Sequence, residues 1–297
     1  MEYLKWMSRT GVLPRRGRLL DIGESCLGGA EPQDIKEILE HHGSRLSGPQ
    51  LDKLTQEYAY RSHLIAAPIP TLFLGELLEH TDVEYVSFDI VSARAARRFD
   101  LNRHNLHPSK KATFDLVTNF GTTEHLINQF NAYKVMHEAL RPGGYMFSQV
   151  PATGYINHGY FSYNALMFRE LAEANGYEVA DLWFYGPSGD GNVLVNADVY
   201  PGVLDPNKPQ NNVDGFRNSP VPNSLINVLF RKVKDGPFRV GLEVKTAAGP
   251  LDASAHFDGE YIEPEAPAIA TRRRPFIRRV IGRLRRMLRA RSWGLRR

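Results

Sequence analysis

A mainly parallel, three-layer α/β sheet is the fold class that this 297-residue chain predicts, and three short stretches predict it. They are Arg18-Leu19-Leu20-Asp21-Ile22-Gly23, Val83-Glu84-Tyr85-Val86-Ser87-Phe88-Asp89 and Phe114-Asp115-Leu116-Val117-Thr118-Asn119-Phe120-Gly121. Each is an apolar run closed by an acidic, amide or glycine residue. That grammar sets a buried strand below and a ligand-facing polar group at its C-terminal edge, where open α/β sheets bind ligands.

The elements follow in order. A short helical leader precedes the first strand, 18–22. Residues 34–40 and 51–60 read as helices, and 71–79 as a third apolar-periodic helix after Pro68 and Pro70. The second strand, 83–88, comes only then, so about residues 31–70 form a helical insertion. Insertions near a ligand edge often serve as lids or acceptor walls. A short third strand is expected at 98–102 and a fourth at 114–118. Helix 128–140 carries Ala132, Val135, Met136, Ala139 and Leu140 as its apolar positions, and Arg141-Pro142-Gly143-Gly144 stops it before a fifth strand at 145–150. Asn164 caps a helix over 165–174 that Asn175-Gly176 closes. Strand 178–185 and an antiparallel last strand at 225–233 complete the sheet. The stretch 186–223 between them, rich in Gly, Pro and Asn, reads as irregular surface. The sheet domain thus spans 1–243. Residues 244–270 shift to Ala, Pro, Gly and acids, as in a flexible linker, and 271–297 form a basic amphipathic helix.

Composition narrows the function classes. An apolar share of 42% with 25 glycines suits a globular protein with a substantial core. A single cysteine, Cys26, excludes an intramolecular disulfide framework and any multi-cysteine metal centre. No apolar run approaches the roughly 18 residues a membrane span needs, and Met1–Trp6 lacks a secretory signal pattern. The body is therefore read as soluble and cytoplasmic. The net charge of +4 hides an asymmetry: residues 271–297 hold twelve arginines and no acids, which leaves 25 basic against 33 acidic residues, or −8, in residues 1–270.

Leu20-Asp21-Ile22-Gly23, Asp89, Phe114-Asp115-Leu116-Val117 with Glu124-His125 beyond it, and the helix stop Ala139–Tyr145 together resemble the class I S-adenosylmethionine-dependent methyltransferases, over about residues 17–234. The resemblance implies a Rossmann-like methyltransferase sheet and S-adenosylmethionine as methyl donor. It places Asp21, Gly23, Glu24 and Ser25 around the donor's methionine part and Asp89 on the ribose hydroxyls. Asp100 and Leu101 then lie at the adenine, and Asn119, Phe120 and Gly121 beside the sulfonium. One departure stands out. The family turn carries a second glycine soon after the first, whereas this one reads Gly23-Glu24-Ser25-Cys26-Leu27-Gly28-Gly29, so the donor site is either reshaped or lost. A non-catalytic relative that keeps the sheet for binding or assembly is the rival this departure supports. A nicotinamide-dependent oxidoreductase ranks a distant fourth, because no Gly-x-Gly-x-x-Gly follows the first strand.

Residues 151–164, dense in aromatic rings and amides, look like a loop of small-molecule methyltransferases from sugar and cell-surface polysaccharide pathways. The acceptor expected is a small polar molecule, a sugar or a lipid-linked glycan hydroxyl. Methyl transfer is an in-line displacement that aligns donor and acceptor and often needs a base. His158 and His125 both follow strand ends and are the candidate bases, with Glu124 orienting one of them. His125 reads equally as a helix-entry residue, and Glu124 equally as a cap. Cys26 reads as a small buried thiol. His41-His42 and the pair His104 and His107 read as exposed, and no ligand set for a metal is expected. No Asn/Asp-Pro-Pro-Tyr/Phe tetrapeptide occurs, which disfavours exocyclic nucleobase amines.

In the tail, Ile277, Val280, Ile281, Leu284, Met287 and Leu288 repeat at helical spacing, with arginines on the remaining faces. An anionic membrane surface is the first-ranked partner, at the inner face of the membrane, since the apolar stripe serves lipid. Docking on an acidic protein surface ranks second. Nucleic acid ranks last, and with it an RNA methyltransferase anchored by the arginines. The oligomeric state is not legible.

Overall fold

The computed structural model describes residues 1–64, 71–91, 96–155, 157–188, 191–196, 223–240, 251–252 and 260–262. In chain order its main elements are α1 (Glu2–Thr10), β1 (Gly17–Ile22), α2 (Pro32–His41), α3 (Gly48–Ser62), α4 (Leu74–Leu78), β2 (Val83–Asp89) and β3 (Arg97–Arg98). They continue with β4 (Phe114–Phe120), α5 (Gln129–Ala139), β5 (Leu140–Thr153), α6 (Ala165–Asn175), β6 (Tyr177–Ser188), β7 (Gly191–Asn196) and β8 (Ser224–Lys232). One eight-stranded sheet runs β7-β6-β8-β5-β4-β1-β2-β3. Strands β3, β2, β1, β4 and β5 are parallel neighbours. Strand β8 lies antiparallel between β5 and β6, as expected of the last strand.

Both faces of the sheet are covered, which is why its central strands read as nearly continuous apolar runs. Leu19, Leu116, Phe147 and Leu229 point into one core with Leu4 and Met7 of α1, Ile35, Ile38 and Leu39 of α2, Leu51, Tyr58 and Ala59 of α3, and α4. Leu20, Ile22, Val117, Met146, Val228 and Phe230 point into the other, against Val135, Met136 and Ala139 of α5 and Phe168 and Leu171 of α6. Asn128 and Asn164 cap α5 and α6 through their side chains, and Gly176 ends α6 in the left-handed conformation.

The structure departs from the sequence reading at several points. The helix expected over 71–79 is shortened to α4, because Leu72–Phe73 pair with Cys26–Leu27 as a small ribbon. Strand β5 begins at Leu140, directly after α5. The stop residues 141–144 bulge within it, as shown by the register passing from Phe114↔Leu140 to Leu116↔Tyr145. The third strand is only two residues long, since Asp100 turns the chain by accepting from the Asn102 amide at 2.9 Å while its own amide donates to His104 Nδ1 at 3.0 Å. Strand β6 reaches Ser188 and β7 follows, so part of the stretch read as irregular is a hairpin. Within the expected linker, Leu251–Asp252 pair with Arg239–Val240 and Glu260–Ile262 with His104–Leu106. The arginine-rich helix expected over 271–297 lies outside the described residues.

Three side chains also differ. Cys26 is exposed, while its ribbon neighbours Leu27 and Leu72 take the buried face. His42 is buried: its Nδ1 donates to Pro14 O at 3.1 Å, its Nε2 accepts from Ser8 Oγ at 2.9 Å, and burial pushes its pKa down to about 4. His104 is half-buried, held by the Asp100 turn. Among the described residues no helix is long and apolar enough to cross a membrane.

Candidate active site at the carboxyl edge of the sheet

Two clusters form where the parallel strands end. The first lies at the tips of β1 and β2. Asp21 is fully buried and accepts from Thr118 Oγ1 at 2.7 Å, Tyr85 Oη at 2.8 Å and the Ser25 amide at 3.0 Å. Burial pushes its pKa up to about 6, against the pull of those three donors. Its carboxylate therefore shapes the Gly23–Ser25 turn from below. Asp89, half-buried at the end of β2, accepts from the Glu24 amide at 3.2 Å and from the Val91 amide at 3.0 Å. A carboxylate offers about four lone-pair positions, so two remain for a ligand. Gly23 has φ +85°, and a Cβ there would come within 2.1 Å of Thr122 Oγ1. Only glycine lets the first turn and the turn after β4 meet so closely.

The second cluster lies beyond β4 and β5. Thr123–His125 form a single 3₁₀ turn. Asn119, fully buried, builds it: its Oδ1 accepts from the Thr122 and Thr123 amides, and its Nδ2 donates to Thr123 Oγ1. Tyr163 Oη donates to Gln129 Oε1 at 2.7 Å and lies 3.0 Å from Thr123 Oγ1. The loop after β5 then folds over this turn, with the Tyr160 amide donating to Glu124 O at 2.7 Å. Gly159 makes the approach possible, because a Cβ there would sit 2.9 Å from Glu124 Cγ and 3.0 Å from its carbonyl oxygen.

The result brings His158 from the loop after β5 onto the adjacent pair Glu124 and His125 of the 3₁₀ turn. Glu124 Oε1 lies 3.7 Å from His158 Nε2 and 4.0 Å from His125 Nε2, and the two imidazole rings are 5.0 Å apart. Glu124 is 1% exposed while each imidazole is 47% exposed, so a buried carboxylate faces an open pair of rings. Burial raises the Glu124 pKa, opposed by its own backbone amide and the two imidazoles. Tyr155 stands 5.4 Å from the His158 ring, and both Tyr155 and Asn157 hold positive φ, at 50° and 64°. Asparagine adopts that conformation readily and tyrosine does not, so the loop stores strain beside the cluster.

The chain passes from the sheet to the insertion and back at this edge. It leaves after Ser25 and returns at Leu74, whose amide donates to Ser25 O at 2.9 Å. Residues 72–182 match a family model described as a methyltransferase domain. That stretch is similar to a methyltransferase domain. The match opens at Leu72, where the insertion ends, and takes in β2 to β5, α5, α6 and the first half of β6. Strand β1 lies on the far side of the insertion and outside the match.

Among solved structures the chain is similar to a candidate methyltransferase from Bacillus halodurans C-125, at 12% identity and TM-score 0.41, covering 79% of this chain and 100% of that one. It is similar to a SAM-dependent methyltransferase from Archaeoglobus fulgidus at 12% identity and TM-score 0.36, over 76% and 93%. A third is 1,6-didemethyltoxoflavin-N1-methyltransferase of Burkholderia thailandensis, with bound 1,6-didemethyltoxoflavin and S-adenosylhomocysteine, at 14% identity and TM-score 0.34, over 77% of each chain. At these values no residue role passes from them to this domain. No curated protein matches the chain.

Of the residues singled out by sequence, Asp21, Gly23, Glu24, Ser25 and Asp89 meet in the first cluster, and Glu124, His125 and His158 in the second. Gly121 borders the second, since a Cβ there would lie 3.1 Å from Glu124 Oε1. Others serve the framework. Asn119 spends its side chain on the 3₁₀ turn, Phe120 packs at 6.4 Å from the Tyr3 ring and 5.4 Å from the Phe147 ring, and Leu101 is in the core. Asp100 holds its own turn. Sequence reasoning missed Thr122, which no motif marks. It also missed Tyr3, whose ring α1 carries to 6.4 Å from that of Tyr185, with its hydroxyl beside Gln149 and Asn227. An aromatic residue in an amphipathic leader reads only as core.

Proposed function

We propose that this methyltransferase domain transfers the methyl group of S-adenosylmethionine to a hydroxyl of a small polar acceptor, a sugar or a lipid-linked glycan. The observation that carries the reading is the pairing of the two clusters on one edge of the sheet. Asp89 and the Gly23–Ser25 turn offer a carboxylate and backbone donors for a nucleoside and its amino-acid part. One strand away, Glu124, His125 and His158 offer the only kind of groups this edge needs to manage an acceptor proton. Tyr155, Asn157, Tyr160 and Phe161 extend from the same loop; the last two are exposed aromatics that suit the C–H face of a sugar ring. The amphipathic arginines of 271–297 would hold the enzyme to an anionic membrane at its inner face, each adding about 1 kcal/mol near such a surface. A sheet kept for binding alone has no need of a buried carboxylate facing two open imidazoles, which favours catalysis over the assembly rival.

Calorimetric titration of the full chain with S-adenosylmethionine tests the donor. Binding is expected, weakened about a hundredfold in Asp89→Ala through loss of two charge-assisted hydrogen bonds. His158→Ala is expected to lower turnover far more than donor affinity. No heat at about millimolar donor would overturn the reading. Cosedimentation with phosphatidylserine and with phosphatidylcholine vesicles, before and after deletion of 271–297, tests the membrane part. Loss of RNA binding on that deletion, with vesicle binding unchanged, would replace it with the RNA reading.

A further inference from the structure

The second cluster has features that a histidine–carboxylate base pair does not explain. Such a pair shares a hydrogen bond, with heavy atoms about 2.6–3.2 Å apart. Here two imidazoles aim their Nε2 atoms at the same carboxylate oxygen, at 3.7 and 4.0 Å, and neither is within hydrogen-bond distance. The second oxygen, Glu124 Oε2, is buried and accepts no hydrogen bond among the described residues. An ionised carboxylate that is 1% exposed, with only its own backbone amide beside it, is unfavourable unless a positive charge compensates it. One atom from each of the three side chains lies within 4.8 Å of the others.

The geometry points to a divalent transition-metal site formed by Glu124, His125 and His158. Two imidazoles and one carboxylate suit a first-row ion such as Zn²⁺, Mn²⁺ or Co²⁺ rather than Mg²⁺ or Ca²⁺. Bonds of about 2.1 Å from a common centre set ligand atoms about 3–3.5 Å apart. Small rotations of the half-exposed rings close the present separations to that range. The open side of the rings leaves coordination positions for water or substrate.

This inference rests on the methyl-transfer reading and deepens it by naming the acceptor's activation. The acceptor hydroxyl coordinates through oxygen and loses its proton to solvent water, because the metal lowers its pKa. The alkoxide lone pair then forms the O–CH₃ bond while the S–CH₃ bond breaks, and that electron pair stays on sulfur to leave S-adenosylhomocysteine. His158 and His125 are then ligands and not bases. An acceptor with a second oxygen next to the reacting one, such as a vicinal diol of a sugar, would chelate and bind best.

The test uses the full-length chain, stripped with a chelator and titrated with Co²⁺, followed by calorimetry and visible absorption. One Co²⁺ per chain is expected, and His125→Ala, His158→Ala and Glu124→Gln should each weaken it by at least about tenfold and change the spectrum. His63→Ala, an exposed imidazole elsewhere, should leave both unchanged. The two exposed histidines can be removed without touching the core, and circular dichroism verifies the fold. Absence of Co²⁺ binding at about 1 mM, or equal binding in all variants, would overturn the site. S-adenosylmethionine is titrated into the same stripped protein. Donor binding without Co²⁺ binding sinks this inference alone, and Co²⁺ binding without donor binding sinks the methyl-transfer reading and leaves the metal site standing.

Discussion

Asp21→Asn separates two roles that the end of the first strand could serve. The carboxylate is fully buried and takes three hydrogen bonds, one of them from the Ser25 amide that fixes the Gly23–Ser25 turn. Burial moves its pKa from 3.8 to about 6, so the folded state holds a proton that the unfolded state releases in between. The unfolded chain binds fewer protons over that window, and stability therefore falls as pH rises from about 4 to about 6. At 1.36 kcal/mol per pH unit the span corresponds to about 3 kcal/mol. An asparagine keeps one oxygen for Ser25 and Tyr85 and turns its amide to Thr118, whose hydroxyl can accept as well as donate. It has no charge to lose. Urea unfolding of both proteins across this pH range should show the variant gaining about 3 kcal/mol on the wild type, while S-adenosylmethionine affinity changes by less than about threefold. A stability difference that does not vary with pH would refute the titration argument. A folded variant that no longer bound donor would refute the claim that Asp21 acts by shaping the turn.

Other perturbations test neighbouring parts of the argument. His137 is buried, its Nδ1 accepting from Tyr177 Oη and its Nε2 donating to Gly236 O at 2.8 Å, and burial lowers its pKa from 6.5 to about 4. Its contribution is present above about pH 6.5 and lost as pH falls to about 4, up to about 3 kcal/mol, opposite in sense to Asp21. His137→Gln should flatten that acid arm of the unfolding profile. Gly23→Ala places a Cβ 2.1 Å from Thr122 Oγ1 at φ +85°, and should lower stability by about 1–3 kcal/mol and donor affinity with it. Adding Thr122→Ala should restore only the steric part, since the backbone strain stays. Lys232, with no exposed surface, donates to His137 O at 2.9 Å and Leu140 O at 2.8 Å at the end of α5. Lys232→Met leaves those carbonyls unpaired and should cost about 2–4 kcal/mol in chemical denaturation.

Much of the sheet was legible because period and punctuation agree along it. Leu19 and Leu20 face opposite cores, so β1 announces itself as a run with no polar interruption until Asp21. Asn128, Asn164 and Gly176 end their helices by local hydrogen bonding or backbone freedom, which sequence carries directly. The misread elements depend on distant pairing. Leu72–Phe73 become strand only because Cys26–Leu27 lie beside them. Residues 141–144 read as a turn, yet the parallel neighbour β4 holds them in a bulged strand. His42 looked like a surface pair with His41 until α1 supplied Ser8. Strand-end logic put both histidines and Glu124 at this edge of the sheet, where the structure has them, but their convergence needs Gly159 and Tyr160 seated on the Glu124 backbone, a contact that no spacing encodes.

The displaced glycines after Gly23 follow from the same long-range geometry. In a right-handed β-α-β crossover the helix joining β1 to β2 covers one face of the sheet. Here that helix is α4, and the chain reaches it only after the ribbon at Cys26–Leu27, α2 and α3 have intervened. Gly28 and Gly29 therefore belong to the insertion, where the Gly29 amide donates to Ser62 O at 3.3 Å. The groups that close the Gly23–Ser25 turn are in place: Asp21 holds the Ser25 amide, Asp89 the Glu24 amide, and Leu74 completes the connection through Ser25 O. An insertion at this point relocates a glycine pair without removing any of those contacts. The altered motif is thus accounted for by connectivity: the glycine pair lies in the insertion while Asp21 and Asp89 still hold the Ser25 and Glu24 amides.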